Sequence, residues 1–197
     1  MENQFDLFSG EVNLPKREYE YFLLLSPGNS IGSKVAGQKI KLHKEIGISS
    51  ENLHSLPHIS FFKFHNFETE NLIMPLIEKA LVNVKSFEAE INSLEVFDHG
   101  NKKSLVLNFK NPEPFCEINN RLLDGLSFSP KHAHKPHLTI ARSVPAKDFR
   151  KIKHLEDYKI SGSFLCNNVT VLRKELGKKS RYEKFGQVDL AENPVAA

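Results

Sequence analysis

Two stretches of the chain say nearly the same thing: "PHISFFK" at 57–63 and "PHLTIAR" at 136–142. Each reads proline, histidine, a branched apolar residue, a hydroxyl residue, two apolar residues and a cation. In a β-strand, residues i and i+2 project to the same face. His58 and Ser60 therefore share one face, as do His137 and Thr139, while Ile59 and Leu138 point back into a core. Pro57 and Pro136 cannot donate a ladder hydrogen bond and suit the first position of a strand. Each histidine then stands at a strand entrance. Two such strands meeting across a cleft would bring two imidazoles and two hydroxyls face to face.

Working outward, the chain alternates strands and helices. "YEYFLLLSP" (19–27) is a short apolar run stopped by Pro-Gly and predicts a buried strand. A helix follows over 30–45, capped by Asn29 or Ser30 and ended by Gly47. Its inner stripe is Ile31, Val35, Leu42 and Ile46. After the first motif strand, a helix spans about 70–84. Its stripe is Leu72, Leu76, Ala80, Leu81 and Val84, with Pro75 in or near its first turn. "SFEAEINSLEVFD" and "SLVLNFK" read as strands joined by the loop "HGNKK". A third helix runs from about Pro114 to Leu126, and "PAKDFRKIKHLE" is a short helix beginning at Pro145. "FLCNNVTVLRKEL" and "YEKFGQVDL" close the chain as strands around the turn "GKKS".

This order occurs twice, once around each motif strand. It predicts an α+β fold of two pseudo-symmetric lobes of antiparallel sheet, flanked by helices, with a central active-site cleft. The 197 residues suffice for one such bilobal domain at 19–190, between a polar lead-in (1–18) and a flexible tail (191–197). No run approaches the ~20 apolar residues that cross a bilayer, and the acidic start carries no secretory pattern. Cys116 and Cys166 sit in apolar patterns and read as reduced thiols, which fits a cytoplasmic protein; a monomer is expected. A net charge of +3 permits a phosphate-bearing ligand without announcing a long duplex-binding surface.

The paired residues suit attack at phosphorus. An imidazole with a pKa of ~6.5 can be neutral while its partner is protonated, so one accepts a proton from the attacking oxygen and the other donates to the leaving oxygen. Ser60 and Thr139 can donate hydrogen bonds to the non-bridging oxygens. This set requires neither a metal nor another cofactor.

"HISF" and "HLTI" resemble the paired His-x-Ser/Thr-x signature of the 2H phosphoesterases, in particular the RNA 2′,3′-cyclic phosphodiesterase branch, also called 2′-5′ RNA ligase-like. The terminal "VTVLRKELGKKSRYEKFGQVDL" is similar to that family's closing hairpin. Ser60 stands where threonine is commoner, and the hydroxyl is kept. The resemblance implies a bilobal enzyme that opens 2′,3′-cyclic phosphates of nucleotides or RNA ends to a 2′-phosphate, with 2′-5′ RNA ligation as the reverse chemistry. It also implies a phosphate contact from Arg142. His58 is expected to donate a proton to the leaving oxygen and His137 to activate water. The alternatives are a phosphodiesterase for 2′-5′ oligonucleotides or ADP-ribose cyclic phosphate, and a non-catalytic RNA-end-binding protein.

Arg142 lies five residues after His137, an odd offset that turns it away from the cleft in a regular strand. A bulge or the strand's end would swing it back. Lys63 has the same offset in the first copy. Phe62 could stack on a base, and Tyr182, like Arg173, lies on the closing hairpin that could border the cleft. "KHAHKPH" (131–137) offers His132, His134 and His137 as metal ligands, but without a carboxylate or cysteine and with two of the three in a loop, so a cleft rim is the better reading.

Overall fold

The computed structural model describes residues 17–67, 70–129 and 133–192. The expected lead-in and tail fall almost wholly outside these residues, as does His132. The elements are β1 (Glu18–Leu25), α1 (Asn29–Ile46), a short α2 (Ser50–His54), β2 (Ile59–Phe67), α3 (Glu70–Leu81), β3 (Phe87–Asp98), β4 (Lys102–Phe109), α4 (Glu113–Gly125), β5 (His137–Pro145), α5 (Ala146–Phe149), a 3₁₀ turn at Leu155–Tyr158, β6 (Gly162–Cys166), β7 (Asn168–Glu175) and β8 (Glu183–Asp189).

All eight strands belong to one sheet, in the order β6-β3-β4-β5-β2-β1-β7-β8. Every neighbouring pair is antiparallel. The order is symmetric about its middle, with four strands on each side and the two motif strands, β5 and β2, at the seam. There they share the pair Ile59↔Leu138, and both side chains are fully buried. This is the α+β, two-lobed arrangement expected from the repeated order of elements.

Four local expectations shift. The run "FLCNNVTVLRKEL" is two strands, not one: β6 pairs with β3 in one lobe, and β7 pairs with β1 in the other. The polar Asn167 separates them, and the chain changes lobe there. In α3 the buried stripe is Ile73, Ile77 and Leu81, while Leu72 and Leu76 are exposed. The segment is apolar nearly all round, so periodicity alone leaves its phase open. Packing against α4 and β8 chooses it. Pro75 lies in the second turn of that helix, not in or near its first. The "PAKDFRKIKHLE" segment forms only one α-turn before the separate 3₁₀ turn.

α1 ends as its sequence suggests. Gly47 takes a left-handed conformation (φ 67°) and its N–H closes on the His43 carbonyl, a geometry that costs a residue with a Cβ more. The helix begins without a side-chain cap, Gly28 holding that position. It leaves the first lobe to pack against β5 and β6 of the second. Its buried face is Ile31, Val35, Lys39 and Leu42, so a lysine stands in the middle of an apolar stripe.

Candidate active site

His58 immediately precedes β2, and His137 is the first residue of β5. Each imidazole is fixed in the same way. His58 Nδ1 lies 2.8 Å from the Leu56 carbonyl oxygen, and His137 Nδ1 lies 2.8 Å from the Lys135 carbonyl oxygen. A carbonyl only accepts, so in both rings Nδ1 carries the hydrogen and donates it. Nε2 is left available for proton transfer. Each ring also meets a phenylalanine edge to face: Phe22 at 5.4 Å from His58 and Phe97 at 5.1 Å from His137. Such contacts restrict the rings to one orientation.

The antiparallel pair Ile59↔Leu138 sets the register of the rest. One step outward in each direction, His58 stands beside Thr139 and Ser60 beside His137. All four line a single cavity of about 520 Å³, together with Arg142, Lys39 and several residues between Ile46 and Leu56. The two histidines thus occupy opposite corners of a small rectangle, with the hydroxyls at the other corners.

The cations that close each motif reach the same face through matching bulges. In β5, Val106 pairs with Thr139 and Leu105 with Ala141, so Ile140 and Ala141 stand opposite one residue. In β2, Leu24 pairs with Ser60 and Phe22 with Lys63, so Phe61 and Phe62 stand opposite Leu23. An extra residue inverts the side-chain alternation beyond it. Arg142 is thereby returned to the cleft face and lines the cavity. A second irregularity follows at once, with Ser143 at φ 55° and its N–H donating to Ser104 Oγ at 3.1 Å.

Arg142 is held from the other lobe. Its backbone N–H donates to Asn52 Oδ1 (2.8 Å), and Asn52 Nδ2 donates to its carbonyl (2.9 Å). The Asn52 amide acts as a one-residue strand neighbour for the bulged backbone. Ser49 caps α2 and accepts from the Asn52 N–H, which fixes Asn52 in turn.

The sequence reading missed Lys39. It is 2% exposed, lines the cavity, and donates to both the carbonyl and the hydroxyl of Ser55 at 2.6 Å. Burial lowers its pKa to about 8. The signal was present: position 39 falls on the stripe 31–35–42–46, where a lysine is out of place.

The surroundings of the two imidazoles differ. Burial pushes His58 below the usual imidazole value, its bond to the Leu56 carbonyl partly opposes this, and Lys39, Arg142 and Lys63 add to the lowering. His137 instead lies near the Glu95 carboxylate. Glu95 is held below its ordinary range first by the Lys135 ammonium, then by Asn108, with a smaller contribution from His137.

Other expected residues stand outside the cavity lining. Lys63 lies 4.8 Å from the Phe22 ring centroid and 5.0 Å from that of Tyr182, and pairs with Glu20 at 3.5 Å. Tyr182 donates its hydroxyl to the same carboxylate. With Lys174 and His65 also on Glu20, these side chains buttress Phe22 behind His58. Arg173 pairs with Glu183 and covers the Tyr19 and Phe185 rings. Phe62 packs with Phe64 and Phe128, which leaves its ring engaged in an aromatic cluster and not in the cleft. The His134 ring lies tilted against Phe61 at 5.7 Å, its pKa lowered by burial. Both cysteines are free, and burial raises Cys166 to about 12.

The model of the 2′-5′ RNA ligase superfamily matches residues 39–178, well over half of the chain and both motifs. The chain belongs to this superfamily, that of the 2H phosphoesterases. No curated protein sequence matches it. Among solved structures, Escherichia coli LigT complexed with 3′-AMP is 15% identical, with a TM-score of 0.58, over 90% of this chain and 99% of LigT. LigT in its apo form is 13% identical, with a TM-score of 0.62, over 88% and 98%. TT0787 of Thermus thermophilus is 14% identical, with a TM-score of 0.62, over 87% and 97%. At these identities the structures show a shared fold. Superfamily membership supports a phosphoesterase or RNA ligase-like function on nucleotide or RNA substrates. Among the described residues, no helix is long and apolar enough to cross a membrane.

Proposed function

We propose that this 2H phosphoesterase opens 2′,3′-cyclic phosphates of nucleotides or RNA ends by paired-imidazole catalysis, leaving a 2′-phosphate. The observation that carries the reading is the symmetric placement of His58 and His137 about one strand pair, each locked through Nδ1 and each lining the same cavity. A water oxygen attacks phosphorus while one neutral Nε2 takes its proton. The bond from phosphorus to the 3′-oxygen breaks, and the other imidazolium supplies a proton to that oxygen. Ser60, Thr139 and Arg142 hold the non-bridging oxygens as charge accumulates on them. With a 5′-hydroxyl in place of water, the same attack yields a 2′-5′ phosphodiester.

The surroundings of His58 support the reverse of the division of roles expected from the sequence. Burial and three cations favour the neutral form of His58, which suits the base that activates water. The donor role then falls to His137.

The test is turnover of a nucleoside 2′,3′-cyclic phosphate in the presence of a chelator. The wild-type protein should show a bell-shaped pH dependence. His58→Ala and His137→Ala should each lower kcat/KM by at least ~10²-fold without loss of fold. Near-normal turnover in either variant refutes the assignment. A wild-type protein that binds the cyclic phosphate without opening it would instead be an RNA-end binder.

A further inference from the structure

Lys39 presents a charge problem that the scissile phosphate alone does not resolve. An ammonium has three N–H donors. Two are taken by Ser55, and the Ser55 hydroxyl passes its own hydrogen to the Asn52 carbonyl at 3.0 Å. No carboxylate among the described residues pairs with Lys39, although two line the same cavity. Asp148 is engaged by Lys151 at 2.7 Å. Glu51 is held by its own backbone N–H and by the Ser49 side chain. A buried cation without an anion is costly, and burial has already drawn its pKa down to about 8.

The cavity therefore holds two cations, Lys39 and Arg142, whose charges no described carboxylate beside them offsets. A cyclic phosphate diester carries one negative charge. The cavity also extends well beyond the motif strands, past Gly47 on one wall and Pro145 on the other, with Ile46, Ile48 and Val144 as apolar lining. That is room for a nucleoside between two anionic groups. Ser60, Thr139 and Arg142 serve one of them. Lys39, carried by α1 and not by either motif strand, lines the same cavity and is left to serve the other.

We infer that Lys39, oriented by Ser55, is a second phosphate subsite, so that the preferred substrate carries a further phosphate on the 5′ side of the nucleoside whose cyclic phosphate the histidines hold. The inference rests on the phosphodiesterase reading above and narrows its substrate class to RNA ends and 5′-phosphorylated nucleotides, in preference to nucleoside cyclic monophosphates.

The experiment compares two ligands and two substrates. By titration calorimetry, adenosine 3′,5′-bisphosphate should bind the wild-type protein roughly tenfold or more tightly than adenosine 3′-monophosphate, the effect of one charge-assisted contact. In Lys39→Met, which fills the buried site without charge, the two affinities should come within about twofold. Ser55→Ala, which removes the hydroxyl acceptor but keeps the backbone carbonyl, should reduce the advantage by a smaller factor than Lys39→Met. The ratio of kcat/KM for a 5′-phosphorylated against an unphosphorylated nucleoside 2′,3′-cyclic phosphate should follow the same order. A wild-type protein indifferent to the 5′-phosphate overturns the inference, as does a Lys39→Met variant that keeps the preference. Equal weakening of both ligands in Lys39→Met overturns it too, by placing Lys39 on the scissile phosphate. If the wild-type protein opens the unphosphorylated substrate but gains nothing from the 5′-phosphate, this inference fails alone. If it opens neither, the phosphodiesterase reading fails with it.

Discussion

Asn52→Ala tests whether the cleft depends on a contact between lobes. The substitution removes two hydrogen bonds to the Arg142 backbone, at 2.8 and 2.9 Å. Each contributes about 0.5–1.5 kcal/mol net, and both are partly solvated, so the expected loss of stability is about 1–2 kcal/mol. For a domain of this size that lowers Tm by roughly 2–8 °C. The effect on chemistry should exceed what a small loss of stability explains. Without Asn52 the bulged backbone at Arg142 and Ser143 has no partner on that side, and the guanidinium loses its fixed position. Arg142→Ala itself should cost ~10–100-fold in kcat/KM, the range of a charge-assisted contact to a phosphate oxygen. Asn52→Ala should show a part of that loss, and Asn52→Asp, which keeps the acceptor but not the donor, a smaller part. The decisive measurement is the double-variant cycle on kcat/KM for a nucleoside 2′,3′-cyclic phosphate, below the unfolding transition of every variant. If Asn52 acts through Arg142, the double variant is slower than Arg142→Ala by no more than about twofold, so that most of the Asn52→Ala loss disappears in that background. Additive losses would refute the reasoning and leave Asn52 as a purely structural contact.

Further expectations are independent of that one. In the pH profile of kcat/KM, the acidic limb should lie below pH 6.5, because a base must be neutral and burial with nearby cations lowers His58. Lys39→Met should move that limb upward, and a limb above 6.5 in the wild-type protein would contradict His58 as the base. Glu20 is held down to about 2 by Tyr182 first, against desolvation, with Lys174, His65 and Lys63 helping. A depressed carboxylate contributes stability that is full above the ordinary value of 4.5 and is lost as pH falls from there toward about 2. Denaturant titrations at pH 6 and pH 3 should therefore differ by on the order of 2 kcal/mol more in the wild-type protein than in Glu20→Gln; equal differences would remove Glu20 from the account. Gly125→Ala should lose about 1–3 kcal/mol in the same titration, since a Cβ there would lie 2.5 Å from the Ala80 Cβ where α4 meets α3.

Much of this was legible in the residues. The alternation in "HIS" and "HLT" placed imidazole and hydroxyl on one face, and the structure lines one cavity with all four side chains. Even the bulges left a trace, since "FF" and "IA" break the alternation with two consecutive apolar residues just before each cation. Local pattern did not determine the phase of α3, whose apolar residues surround the helix, or the break at Asn167, where β6 and β7 part for opposite lobes. Nor did it determine the role of Lys39, whose place on the apolar stripe marks it as unusual but which is buried only when α1 crosses to the second lobe, or of Asn52, which acquires a role only because Arg142 arrives beside it from ninety residues along the chain. Alternation and capping are set between residues a few positions apart, so the sequence alone determined the strands, the helix ends and the polar face of each motif. Burial, bulge register and charge environment depend on which distant segments come together, and only the packed tertiary structure decided those.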